Sequence, residues 1–264
     1  MPSVATREVR IDAGRGRLFA RHWTHDSARG GVPIVLLHDS LGCVELWRDF
    51  PERLAAATAR DVIAYDRLGF GRSDARPDHL RSDFIGEEAR TDFRCVREAF
   101  ALDAFVAFGH SVGGGMAVGC AAAYPEACRA LITESAQAFV EDRTIAGILD
   151  AKRSFAQPGQ LDRLRRYHGD KAAWVLSAWI DTWLAPDFAD WTLDDDLRRV
   201  HCPALVLHGE HDEYGSARHP ERIAALVHGP SAAHLLRGCG HVPHRELPDV
   251  VLDLVSTWLA SVAD

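Results

Sequence analysis

The segment AFVAFGHSVGGGMAVG, residues 104–119, constrains the fold of this chain more than any other stretch. An unbroken apolar run, Ala104 to Phe108, stops at Gly109-His110-Ser111-Val112-Gly113, and small residues suited to a helix follow at once. A strand that turns directly into a helix leaves little room around the residue at the bend, and glycines flanking Ser111 meet that demand. Such a turn holds the serine hydroxyl out from the backbone and aims the first helical amides at whatever lies beside it.

The same alternation runs through the chain. PIVLLH, DVIAYD, ALITES, PALVLHG and AHLLRG read as strands, most of them apolar runs suited to burial on both faces. Between them lie stretches of helical period: about Leu46–Ala59, Arg81–Leu102 with an apolar stripe, Val112–Tyr124, PERIAALVHG, and a final helix from about Pro248 to Val262. REVRID and GRLFARHW, joined around Gly14–Gly16, read as two antiparallel strands. The pattern predicts an α/β fold with a mostly parallel eight-stranded sheet flanked by helices. From about Ala136 to Arg199 the alternation breaks into a helical stretch carrying four of the seven tryptophans, Trp174, Trp179, Trp183 and Trp191. This stretch is expected to form a lid inserted after the sixth strand. Residues 1–135 and 200–264 then make the core, and 136–199 the lid.

Composition narrows the function classes. Of the 264 residues, 47% are hydrophobic and 26% charged, enough for a substantial core without disulfides. A formal net charge of −8 with no dense basic block argues against nucleic acid or an anionic membrane as partner. MPSVATREVRIDAG lacks the apolar core of a secretory signal, and no run of apolar residues is long enough to span a bilayer, so a cytoplasmic location is expected. The six cysteines (Cys43, Cys95, Cys120, Cys128, Cys202, Cys239) show no CxxC spacing, which predicts reduced, buried thiols and no metal.

A serine hydroxyl is a poor nucleophile until a base takes its proton, and the base must itself be oriented by an acceptor. GEHDEYG places Asp212 just past one strand, and GCGHVPHRE places His241 just past the next. With GHSVGG, these three loops make the chain resemble an α/β-hydrolase over essentially its whole length. The resemblance implies Ser111 as nucleophile, His241 as general base and then acid, and Asp212 as the residue fixing the imidazole. Glu134 occupies the place of an alternative acid in some relatives; Glu210 and Glu213 flank Asp212. His244 reads as solvated or capping, His110 as packing, and Glu246 as an anchor for the final helix. DRLGFGRSD lacks the features of a phosphate loop, HExxH is absent, and neither cofactor nor metal is expected.

By the same resemblance, the oxyanion formed during acyl transfer meets the amides of Val112 and Ser40, the latter in the loop HDSLG. Trp174, Trp179 and Trp183 of the lid, together with Asp39, are candidates for the substrate pocket. A compact apolar pocket suits a small ester or lactone. The lid resembles those of biphenyl-hydrolase-like esterases and of carbon–carbon bond hydrolases acting on meta-cleavage products. Cofactor-free dioxygenases, perhydrolases and non-catalytic ligand sensors on this framework remain open, as does a homo-oligomer. Asp39 is the one departure, since relatives carry glycine there. Two negative charges about 6 Å apart repel by roughly 2.8 kcal/mol at an effective dielectric of about 20. The Asp39 carboxylate is therefore expected to turn away and accept hydrogen bonds from loop amides, with a left-handed backbone in place of glycine's.

Overall fold

Continuous apolar runs satisfy their backbone groups in the middle of a sheet, and the computed structural model, which describes residues 4–26 and 31–262, places them there. β1 (Val4–Asp12) and β2 (Arg17–His25) form an antiparallel hairpin at one edge. β3 (Ile34–Leu37), β4 (Val62–Asp66), β5 (Phe105–His110), β6 (Cys128–Glu134), β7 (Ala204–Gly209) and β8 (Ser231–Leu236) follow, all parallel to one another. The order across the sheet is β1-β2-β4-β3-β5-β6-β7-β8.

Helices cover both faces. α1 (Phe50–Thr58) follows β3, α2 (Phe84–Glu87) and α3 (Asp92–Ala99) follow β4, and α4 (Val112–Ala123) follows β5. Between β6 and β7 the chain forms α5 (Asp142–Phe155), α6 (Gln160–His168), α7 (Ala172–Trp183) and α8 (Asp194–Leu197). α9 (Arg218–Leu226) joins β7 to β8, and α10 (Pro243–Glu246) and α11 (Pro248–Ser261) end the chain. Because strand side chains alternate, the central strands feed two cores. Val35, Leu37, Tyr65 and Ala107 pack with Phe93, Met116 and Ile223 on one face; Ile34, Leu36, Ala64 and Phe108 pack with Phe50, Leu54, Val251 and Val255 on the other. All six cysteines are buried free thiols. No helix among the described residues is long and apolar enough to cross a membrane.

The expected single helix over Arg81–Leu102 is broken. A 3-10 turn, Glu88–Arg90, separates α2 from α3, with Thr91 at φ −112°, ψ −102°. Buried carboxylates flank the break: Glu88 accepts from the Tyr65 hydroxyl at 2.5 Å, and Asp92 accepts from the Leu68 amide at 2.6 Å.

The sheet order creates the site. After β4 the chain crosses back to place β5 on the other side of β3, so the loops leaving β3 and β5 diverge at a switch point. Leu37 and Gly109 are paired there, at the carboxyl ends of their strands. Gly113 is required by this contact, because a Cβ would overlap the carbonyl oxygens of Leu37 and His38.

Burial, reinforced by the Asp92 charge, raises the Glu88 pKa from 4.5 to about 7. As pH rises between those values the unfolded chain sheds this proton while the folded chain keeps it, so folding stability falls. At about 1.4 kcal/mol per pKa unit the loss is roughly 3 kcal/mol. Urea melts should show the native chain losing stability relative to Glu88→Gln across this window, with a constant difference above and below it.

Candidate active site

Ser111 sits at φ 55°, ψ −126°, a region that side chains rarely occupy, between the end of β5 and the first turn of α4. Its amide donates to the Glu134 carbonyl at 2.8 Å, which ties the bend to β6. The Ser111 hydroxyl lies 3.0 Å from His241 Nε2, and His241 Nδ1 lies 2.9 Å from both oxygens of Asp212. Burial works against ionisation of Asp212, but the His241 charge and hydrogen bond, with help from the Tyr214 amide, hold its pKa at about 2. Burial also works against a charged His241; Asp212, then Glu213 and Asp39, outweigh it and raise the imidazole above its ordinary value. A hydroxyl, a base and an ionised orienting acid therefore stand in one line.

Each member is braced by backbone. Asp212 Oδ1 accepts from the amides of Tyr214 (2.8 Å) and Gly215 (3.2 Å), and His208 packs 3.5 Å from Oδ2. From α5, Arg143 donates to the Asp212 carbonyl at 3.0 Å and Thr144 to the Tyr214 carbonyl at 2.7 Å. The histidine loop is pinned by Glu246, whose carboxylate accepts from the amides of Gly240 (2.6 Å) and Val242 (2.9 Å). His110 Nε2 donates to the His241 carbonyl at 2.8 Å.

The loop after β3 is held from beneath and from α6. His38 Nδ1 donates to the Asp39 carbonyl (2.8 Å) and its Nε2 accepts from the Arg67 amide (3.2 Å), a donor–acceptor pair that only the neutral ring can make. Burial, reinforced by Arg67, keeps His38 neutral. The buried Arg67 guanidinium donates to the same Asp39 carbonyl at 2.7 Å and stacks 4.4 Å over Phe70. From the end of α6, His168 Nε2 donates to the Leu41 carbonyl (3.0 Å) while Nδ1 accepts from the Gly71 amide (2.9 Å). The amides of Ser40 and Val112 donate to no protein acceptor among the described residues, and both residues line a small side cavity next to Trp179 and Trp183.

Above Ser111 opens a cavity of about 220 Å³, lined by Asp39, Ser40, Gln137, Trp179, Trp183, Glu213, Tyr214 and His241 among others. The sequence profile of the alpha/beta hydrolase fold family matches residues 32–179, more than half of the chain. The chain belongs to the alpha/beta hydrolase fold family. A proline iminopeptidase of Lactobacillus delbrueckii subsp. bulgaricus is 25% identical over 270 aligned residues, spanning 87% of this chain and 90% of that protein. The 1-acylglycerol-3-phosphate O-acyltransferase ABHD5 of Mus musculus is 33% identical over 143 residues, spanning 52% of this chain and 38% of that protein. The 2-hydroxy-6-oxo-6-phenylhexa-2,4-dienoate hydrolase of Rhodococcus sp. strain RHA1 has the same fold, with a TM-score of 0.76 at 17% identity and coverage of 97% and 99% of the two chains.

Several expectations for this hydrolase need correction. Trp174 lies outside the cavity; its ring packs on Phe70 and its Nε1 donates to the Asp78 carbonyl at 3.3 Å. Asp39 does line the cavity, but no loop amide donates to its carboxylate among the described residues, and its backbone is not left-handed. Its carbonyl carries the loop's hydrogen bonds instead. His244 is not solvated: it is 5% exposed and its Nδ1 donates to Glu134 Oε2 at 2.6 Å. Glu134 is thereby engaged away from His241. Glu246 fastens the histidine loop rather than the final helix. His110, Glu134 and His244 offer ligand atoms within 4.8 Å of one another, the spacing of a metal site. Yet His244 Nδ1 and Glu134 Oε2 are bonded to each other, and His110 Nε2 to the His241 carbonyl. Arg67, His168 and His208 carried no local signal in the sequence.

Removing the His168 ring strands the Leu41 carbonyl and the Gly71 amide. Unmet buried polar groups cost about 1–3 kcal/mol each, so His168→Ala should lower Tm by roughly 4–8 °C in calorimetry. Amide exchange at Gly71 should quicken as well.

Proposed function

We propose that this protein is a serine hydrolase that cleaves a small carboxylic ester or lactone through an acyl-serine intermediate. The observation that carries this reading is the line Ser111–His241–Asp212, at 3.0 and 2.9 Å, on the floor of a cavity that also borders Ser40. His241 Nε2 takes the hydroxyl proton as Ser111 Oγ attacks the carbonyl carbon. The resulting oxyanion is met by the amides of Ser40 and Val112, which no protein acceptor competes for. His241 then passes its proton to the leaving alkoxide oxygen as the carbon–oxygen bond breaks. Water, deprotonated by the same imidazole, releases the acid and restores Ser111. Asp212 stays ionised throughout and keeps the Nδ1 proton on its own side of the ring.

A cavity of about 220 Å³ favours small substrates. Pockets for drug-sized ligands start near 300 Å³. The relatives named above act, by their names, on different bonds, so the choice of an ester rests on the cavity and the free amides rather than on descent.

Short-chain p-nitrophenyl esters should be turned over, and a fluorophosphonate should leave one adduct, on Ser111. Ser111→Ala and His241→Ala should each cost about 10⁴-fold or more in kcat without unfolding the chain. Asp212→Asn should be comparably severe and Glu134→Gln mild; the reverse ranking would transfer the acid role to Glu134. Because His241 must be neutral to act as base and its pKa is raised, activity should fall with acid from a pH above the ordinary imidazole value of 6.5. Glu213→Gln should move that limb to lower pH.

A further inference from the structure

The cavity above Ser111 is chemically one-sided. Two carboxylates, Asp39 and Glu213, line it, and no lysine or arginine does. Among the described residues neither carboxylate has a hydrogen-bond or ion-pair partner. A third acceptor comes from a different element. Gln137, on the chain leaving β6, is 3% exposed and lines the same cavity. Its Nε2 donates to the Ser135 carbonyl at 3.3 Å, which identifies the nitrogen and leaves Oε1 without a donor among the described residues. That oxygen is open to the cavity rather than enclosed by protein, and it can accept an N–H or O–H from whatever fills the space.

The walls suit the same occupant. Trp179 and Tyr214 meet edge to face at 5.8 Å, and Tyr214 lies 4.7 Å from the His241 ring. Aromatic faces attract cations, most strongly where water is excluded. Arg67, a buried cation, donates to the Asp39 carbonyl and lines the adjoining side cavity by Ser40 and Trp179 rather than this one; it offsets Asp39 in part. Arg143 is directed at the Asp212 carbonyl. The free donors in the lining outside Ser111 and His241 are the Ser40 amide and hydroxyl, the Trp183 Nε1, which has no partner, and the Tyr214 hydroxyl, all neutral.

We propose that the substrate of this site carries a protonated amine, received by the carboxylates of Asp39 and Glu213 and the amide oxygen of Gln137, against the rings of Trp179 and Tyr214. The proposal rests on the acyl-serine reading and adds the charge of the substrate to it. An anionic ester is disfavoured by the same two carboxylates.

The test compares p-nitrobenzyl esters of alanine, isobutyric acid and succinic acid, following release of p-nitrobenzyl alcohol. The first two differ only by an ammonium in place of a methyl group. At pH 7 the alanine ester should exceed the isobutyrate ester in kcat/KM by about tenfold or more, with the hemisuccinate lowest. The preference should shrink in Asp39→Asn, Glu213→Gln and Gln137→Leu, and fall below about threefold in the Asp39→Asn/Glu213→Gln pair. It should also fade as pH rises through the amine's own pKa, about 8, a readout that needs no variant. An isobutyrate ester turned over as well as the alanine ester, or a preference unchanged in the paired variant, would overturn the proposal while leaving the acyl-serine reading intact. No turnover of any ester and no fluorophosphonate adduct on Ser111 would overturn both.

Discussion

The parallel pairing of β3 with β5 presses the first turn of α4 against the carbonyl end of β3, and the site is assembled around that contact. The carbonyls of Leu37 and His38 lie where a side chain on residue 113 would be, so α4 can start there only from a glycine. With α4 so placed, the Val112 amide and the Ser40 amide come from two segments that are far apart in sequence yet adjacent in the sheet. Ser111 is held in an unfavourable backbone conformation between them. A conformation of that kind costs roughly 1–3 kcal/mol and persists because the surrounding sheet leaves no alternative.

Burial sorts the histidines into two kinds. His38, His110, His168 and His208 are each shifted down, first by burial, and each hydrogen-bonds backbone groups as a neutral ring. Two carboxylates, Glu141 and Asp212, act on His219, and burial still lowers it to about 4. Three, Asp212, Glu213 and Asp39, act on His241, and its pKa rises. His241 is thus set apart by the charges around it rather than by exposure. The same charges make the cavity a poor place for an anion. Arg67, fully buried behind the Asp39 carbonyl, offsets part of that field from the protein side.

The helical segment between β6 and β7 helps to hold the loops around Ser111 and Asp212. His168 bonds the Leu41 carbonyl beside the proposed oxyanion amide, while Arg143 and Thr144 bond the loop that carries Asp212. Shifting this segment would disturb both ends of the Ser111–His241–Asp212 line. Trp183 and Trp179 of α7 reach the cavity from the same segment, whereas Trp174, one and a half turns earlier, packs on Phe70.

Strand–helix alternation, the bend at Ser111 and the loops carrying Asp212 and His241 are legible in the sequence because each is a local event. An apolar run ends, a glycine follows, and a chemically distinctive residue stands next to it. The helical segment between β6 and β7 follows from the same patterns; the order of the strands in the sheet does not. What only the tertiary structure decided are contacts between distant segments: Glu134 with His244 at 110 residues' separation, His168 with Leu41 at 127. Such pairs leave no periodicity to read, since their distance depends on how the sheet is ordered. The direction of a side chain on a loop is of the same kind. Asp39 was expected to fold onto its own amides, but Arg67 and His38 take up the loop's carbonyl from below, and the carboxylate is left lining the cavity. Residue type announced a charge in the loop near Ser111; packing around the loop determined what that charge faces.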